Sequence, residues 1–251
     1  MRIQIATLVF ALAGTATQSS AQSMPAASKT PDLLGLYTGM PYQAARAQLQ
    51  THSTTVQVAP GSDPSLSFNL HISDPKNPDM IDVYLTQPPN DSSVWMVTRA
   101  WVYYPGAGGP PLTLANLEDA LHSKYGKETM SSDHPTTLVL YWIYDQSGKL
   151  LTTAPAALQA CDGGQYMSYI SMGPPQTLND QQKSCYASYF AVKATMNRST
   201  DPQLLGSYNV QLVNLPFAYA AAMKTVAAKN AADGKAQQDQ LNRAKQNKPT
   251  F

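Results

Sequence analysis

The amino-acid sequence predicts an α+β fold, in which a mainly antiparallel sheet carries short packing helices and a C-terminal helix. Several short segments are β-branched or alternate apolar with polar residues, and turn-forming residues separate them. Between them, apolar residues recur at the three- and four-residue spacing of helices. With 251 residues, 43% of them hydrophobic, the chain is long enough to bury a core in one large domain or two small ones.

The first 21 residues have the pattern of a secretory signal peptide. Arg2 supplies a positive charge, residues 3–14 are apolar, and a small polar stretch follows. We expect cleavage after Ala21, and a cut after Ser23 is nearly as acceptable. Because the apolar run is shorter than the about 20 residues of a membrane span, the sequence predicts a periplasmic or secreted protein without a membrane anchor.

The mature chain is expected to begin with a flexible leader and a short helix. Residues 22–31 are small, polar and proline-containing, so the ordered α+β domain is predicted to cover residues 32–232. The segment 41–50 has apolar side chains near one face and good helix formers throughout. It is therefore predicted to be a helix that packs on the sheet.

The next stretch predicts an antiparallel meander. Leu66, Phe68 and Leu70 alternate with polar residues, and the segments between the candidate strands are rich in Pro, Asn and Asp. The predicted strands cover residues 54–58, 66–70, 80–85 and 94–104.

A second helix is predicted after the glycine-rich loop at 105–111. Thr113 can cap its first turn and Gly126 can close its end. A strand over 136–144 and a turn over 145–148 then predict a hairpin with residues 149–152.

The C-terminal third predicts three more strands and a helix. An alanine-rich helix should run from Phe217 to Ala232, where Gly234 weakens it, and the polar tail 233–251 is expected to be disordered. The strands are expected at 166–172, 186–195 and 208–215.

Because each of the first two predicted helices stands beside strands in a similar order, two helix-on-sheet units are an alternative to one domain.

The two cysteines of an exported chain most simply form one disulfide, Cys161–Cys185. Closing this loop would stabilise the fold by roughly 3 kcal/mol on the chain-entropy model. The spacing is far from Cys-x-x-Cys, so a redox-active pair is the less favoured interpretation.

Charge and motifs exclude several functions. Lys and Arg total 17 against 16 acids, and cleavage would remove Arg2 alone, so the mature net charge is zero and nucleic acid is not an expected partner. The four histidines lack metal-site spacing, and no Gly-x-Ser-x-Gly elbow or Walker lysine is present. We therefore predict no metal, no cofactor and no catalytic residue. His122 is expected to pair with Glu118 one helical turn away.

Acidic residues gather among the turns of the meander. Asp74, Asp79, Asp82 and Asp91 could serve as calcium ligands or as a hydrolytic pair, but turn formation explains acids beside Pro and Asn without either.

Aromatic residues crowd two of the predicted strands. Because side chains alternate along a strand, some of them should face away from the main core and offer a contact surface for a peptide, a glycan or a protein. The alternative is that helices and the tail cover both faces. The candidate binding surface consists of Trp95, Trp101, Tyr103, Tyr104, Tyr141, Trp142 and Tyr144.

The segment Leu34-Gly-Leu-Tyr-Thr-Gly39-Met40, followed by a helix ending at Leu49, resembles the entry element of the SmpA/OmlA-type small outer-membrane lipoproteins. The resemblance implies a packing motif: glycine permits the turn and methionine fills the gap between helix and sheet. The chain departs from that family at Pro41 and in lacking a lipidated cysteine, so membrane anchoring does not transfer.

A longer part of the chain, residues 99–148, is similar to exported bacterial proteins with an equivalent helix and hairpin, a likeness that names no activity. The expected function is a non-enzymatic binding or envelope-support role, with an envelope protein, a peptide or a glycan as partner. The alternative is a cell-wall or glycan-directed hydrolase or hydrolase inhibitor, which requires a concave site joining residues such as His71, Asp82 and Tyr104. The sequence leaves the oligomeric state open.

Overall fold

The computed structural model describes residues 30–53, 56–60, 68–74, 77–86, 89–103, 111–154 and 189–246. These residues have the predicted α+β fold, with one eight-stranded antiparallel sheet and three helices. The helices are α1 (Tyr42–Gln50), α2 (Leu114–Tyr125) and α3 (Leu215–Gln246). The strands are β1 (Gln57–Pro60), β2 (Phe68–Asp74), β3 (Asn77–Leu85), β4 (Val94–Val102), β5 (Met130–His134), β6 (Thr137–Asp145), β7 (Tyr189–Arg198) and β8 (Leu205–Asn214).

The sheet consists of two four-stranded halves that meet in the middle. Its strand order is β1-β2-β3-β4-β8-β7-β6-β5, so the predicted meander forms one half and the last four strands form the other. Each half follows one helix in the chain, α1 before β1–β4 and α2 before β5–β8. The halves join where β4 pairs with β8, with Trp101 opposite Tyr208 and Val97 opposite Leu212.

Helices α1 and α2 cover the same side of the sheet, which we call the helix face. Their buried residues Ala45, Leu49, Leu121 and Tyr125 belong to one apolar core together with side chains from both halves. The core is continuous across the β4–β8 junction, so the two halves fold as one layer of helices on one sheet.

The predicted ends of α2 are confirmed. The Thr113 hydroxyl accepts a hydrogen bond from the Asn116 backbone N–H at 3.2 Å, which satisfies one free donor of the first turn. Gly126 ends the helix at a φ of +81°, a conformation that glycine adopts without strain. Its backbone N–H donates to His122, and its carbonyl accepts from Trp142 Nε1 at 2.7 Å.

A glycine and a methionine precede α1 and shape the entry to it. Gly39 turns the chain at a φ of +90°, and the Met40 side chain is buried in the core beneath α1. Helix α1 begins directly after Pro41.

Helix α3 is longer than predicted. The expected end near Ala232 is wrong, because the helix continues through Gly234 to Gln246. A single glycine costs a helix about 1 kcal/mol, and the Ala, Gln, Lys and Arg residues on either side are strong helix formers. No helix in the described part of the chain is long and apolar enough to cross a membrane.

Several predicted features lie outside the described residues. These are the disulfide Cys161–Cys185, the strand at 166–172, Tyr104, the signal peptide and almost all of the leader.

Candidate functional site

The aromatic residues predicted as a binding surface do not form one exposed surface. Trp101, Trp142 and Tyr144 are buried on the helix face, whereas Trp95 and Tyr141 are buried in a smaller core on the opposite face. The expectation of an outward aromatic patch is therefore wrong for these five residues. Of the remaining candidates, Tyr103 packs against the helix-face core as a half-buried residue, and Tyr104 is not described.

A β-bulge explains why the tryptophans of β4 separate. Val94 pairs with Leu85 and Met96 pairs with Tyr84, so Trp95 is an extra residue in β4. The extra residue reverses the alternation, and Trp95 and Trp101 face opposite sides despite their even spacing.

The charged pair of Arg99 and Asp79 lies on the helix face. Trp101 and Tyr208 stack beside it, with ring centroids 5.8 Å apart and planes 15° from parallel. The Arg99 guanidinium lies 5.9 Å from the centre of the Tyr208 ring. Asp79 therefore forms an ion pair with Arg99. This structural role differs from the calcium-binding, hydrolytic and turn-forming roles weighed for Asp79 from the sequence.

The histidines make separate local contacts. His122 Nε2 lies 2.7 Å from a Glu128 carboxylate oxygen, so the predicted pairing with Glu118 is wrong. His52 and His134 contact the Leu34 carbonyl and the Ser132 hydroxyl. No cluster of three metal-binding side chains occurs among the described residues.

His71 on β2 and Asp82 on β3 are opposite each other in the backbone register of the two strands. The third residue of the alternative site, Tyr104, is outside the described chain, so the concave site is not assembled from described residues.

A polar surface occupies the middle of the sheet on the side opposite the helices. Cross-strand pairing places its residues in two rows over β3, β4, β8 and β7. We call this surface the polar face and define it by Asp82, Thr98, Gln211 and Lys193 in the first row and Asn209 and Thr195 in the second. Five of the six are half-buried, and Thr98 is buried. No described α1 or α2 residue packs on this side.

Several polar groups of this face have no hydrogen-bond partner among the residues that the structure describes. Thr98 is only 6% exposed, yet its hydroxyl makes no hydrogen bond within the described structure. The buried Thr86 and Thr129, by contrast, both hydrogen-bond through their hydroxyls. The side chains of Gln211, Asn209 and Thr195 also make no hydrogen bond to the described residues. Polar groups withdrawn from water normally have hydrogen-bond partners. The donors and acceptors of this face can therefore form hydrogen bonds with a binding partner.

Lys193 is the basic residue of the polar face. Its ammonium lies 5.7 Å from the centre of the Tyr141 ring on the neighbouring β6. Burial lowers the pKa of Lys193 below its usual value, because the charged form loses contact with water.

An apolar border closes one end of this side of the sheet. The first turns of α3, through Leu215, Phe217 and Tyr219, pack with Trp95 and Met96. Tyr84 also contacts this border, with its ring 5.8 Å from that of Trp95.

The polar face was not predicted, although part of its signal is present in the sequence of β8. In β8, Ser207, Asn209 and Gln211 alternate with the buried Tyr208, Val210 and Leu212. That alternation predicts a polar side of a strand, but it does not predict which strands lie beside it. No family model, curated protein or solved structure matches this chain.

Proposed function

We propose that this protein is an exported, non-enzymatic binding protein that holds its partner on the polar face. The observation that carries the proposal is the set of half-exposed side chains on this face without hydrogen-bond partners in the described structure, Gln211, Asn209 and Thr195. A partner that supplied donors and acceptors would satisfy these groups and recover the free energy that their partial burial costs.

The arrangement favours binding over catalysis. The residues of the polar face lie on adjacent strands of a hydrogen-bonded sheet, a rigid platform that needs little ordering when a partner docks. Its hydroxyl and amide groups are complementary to another polar surface. A nucleophile with an adjacent base is not part of the set that defines the face.

The sheet rather than the aromatic residues is the proposed contact surface. Trp101 and Trp142 are buried in the helix-face core, so replacing them would test stability instead of binding. Substitutions on the polar face change the surface and leave that core intact.

Binding can be tested with the mature protein immobilised and exposed to envelope extract. We expect Asn209→Trp and Thr195→Trp to abolish retention of the species that the wild type retains, because a bulky uncharged ring would cover the platform. Asn116→Trp, at an exposed position on α2, is the matched control and should retain it. Equal retention by all three variants, each shown to be folded by circular dichroism, would contradict the proposal.

Export is part of the same proposal and has its own test. We expect protein recovered from the native host to begin at Gln22 and to contain the Cys161–Cys185 disulfide. Mass spectrometry before and after reduction measures both. Recovery from the cytosol with Met1 attached and both thiols free would contradict export.

A further inference from the structure

Lys193 occupies a position on the polar face where none of the described neighbouring side chains is charged. Its closest neighbours along and across the strands follow from the register of β6, β7 and β8. They are Ala191, Thr195, Tyr141, Val139, Ile143, Gln211, Asn209 and Val213. The nearest acid of the face, Asp82, is three strands away, which corresponds to roughly 14 Å at the usual strand spacing.

Within the described part of the chain, the ammonium therefore lacks the ionic partner that a half-buried charge usually has. Among the described residues, Lys193 makes no ion pair and no hydrogen bond, and the Tyr141 ring is its only polar contact. A ring contributes between about 0.5 and 2 kcal/mol, depending on how far the cation is withdrawn from water, and it provides no charge-assisted hydrogen bond such as a carboxylate would accept. The capacity to bind an anion at this point remains unused within the described structure.

We propose that the partner is a protein that places an aspartate or glutamate carboxylate on the Lys193 ammonium. This inference rests on the proposed binding function and adds the chemistry of its partner. The Gln211 amide and the Thr195 hydroxyl flank Lys193 and make no hydrogen bond to the described residues, so both can donate to the same carboxylate. The lowered pKa of the lysine supports the assignment, because an arriving carboxylate would restore the stability of its charged form.

The shape and composition of the face favour a protein over other sources of an anion. Small ligands bind in concave, mostly apolar pockets, whereas these polar groups are spread over four strands of a sheet. Sugars stack on exposed aromatic rings, but Trp95 and Tyr141 on this side are buried. A protein surface of mixed polar groups with one acid is the partner that fits.

The first experiment measures binding of the retained partner to charge-deleted variants. Lys193→Met keeps a long chain over the Tyr141 ring and removes the charge, so we expect the dissociation constant to rise at least about tenfold. Lys149→Met, at an exposed position in the β6 hairpin, is the matched control and should leave it unchanged.

These variants separate the two proposals. If Asn209→Trp abolishes binding and Lys193→Met leaves it unchanged, the binding face stands and the role of Lys193 is overturned. If neither variant changes binding, both proposals fall.

The second experiment identifies the group that contacts Lys193. A water-soluble carbodiimide joins an amine to an adjacent carboxylate as an amide, with loss of water to the reagent, and leaves no spacer. After treatment of the complex, we expect a junction peptide in which Lys193 is joined to an Asp or Glu of the partner protein. A junction to a sugar acid, to an acid of this chain, or no junction at Lys193 would overturn the inference.

Discussion

Arg99 on β4 donates three hydrogen bonds to the two carboxylate oxygens of Asp79 on the neighbouring β3, at 2.6, 2.9 and 3.0 Å. The side chains are 33% and 16% exposed, so the pair is only partly screened by water. Removing the carboxylate would leave a half-buried guanidinium without its partner.

We expect Asp79→Asn to lower the free energy of unfolding by about 1–2 kcal/mol, a value reduced for the exposure of Arg99. The matched control is Asp133→Asn, because Asp133 is 66% exposed where it pairs with Arg198. That change should cost less than about 0.5 kcal/mol. Urea unfolding followed by tryptophan fluorescence measures both, and equal losses would contradict a special role for the Arg99–Asp79 pair.

The hydrogen bond from Trp142 to the Gly126 carbonyl should contribute measurably to stability. Trp142→Phe and Trp95→Phe both remove a buried indole, but in the described structure Trp95 Nε1 has no hydrogen-bond partner. We expect Trp142→Phe to cost about 1–3 kcal/mol more than Trp95→Phe, because it leaves a buried carbonyl unsatisfied. Urea unfolding of the two variants gives this difference, and similar losses would show that packing alone matters.

Two glycines should respond to alanine with opposite signs. Gly126→Ala should destabilise the protein by about 1–2 kcal/mol, because alanine is strained at a φ of +81°. The nearest atom to the added methyl is Leu150 Cδ2 at 3.8 Å, so steric overlap adds nothing. Gly234→Ala, inside α3 with open space around it, should increase helix stability by about 0.5–1 kcal/mol. Thermal unfolding and helical circular dichroism distinguish the two results.

Alkaline pH should unfold the protein through its buried tyrosines. Burial raises the pKa of Tyr144 to about 12 and that of Tyr208 to about 12, and it raises the pKa of Tyr125 further. The folded state holds these protons more tightly than the unfolded state, whose tyrosines have a pKa of about 10. The resulting stability is complete below pH 10 and is lost as the pH rises through about 12.

A titration of phenolate absorbance at 295 nm, alongside near-ultraviolet circular dichroism, measures this loss. We expect these tyrosines to ionise together with unfolding. Tyr144→Phe removes one of these ionising groups. Once the stability that the variant loses at neutral pH is allowed for, we expect it to unfold at a higher pH than the wild type. An unchanged midpoint would contradict the mechanism.

Local features of the fold could be predicted from the sequence. Thr113 and Gly126 mark the ends of α2 through side-chain and backbone preferences that act within a few residues. The strands of the meander follow from alternation and turn residues in the same way. The strand β5 was not predicted, because Met130–His134 is mostly polar and lacks the apolar alternation that indicates a strand. It lies at the edge of the sheet, where most of its side chains are exposed.

The candidate site could not be predicted because it depends on pairing between distant strands. Gln211 lies beside Thr98 and Lys193 only because β8 is inserted between β4 and β7. The bulge at Trp95 likewise changes which aromatic residues share a side, and no local pattern indicates it.

The junction of β4 with β8 sets a condition on the order of folding during synthesis. The first half of the sheet is made early, but β4 obtains its second neighbour only when the last strand has been synthesised. Until then one edge of β4 has unpaired backbone groups that can pair with other chains. Such distant pairing is slow to form, so the partly made sheet is exposed to aggregation until β8 has paired with β4, and a chaperone that covered this edge would protect the protein at this stage.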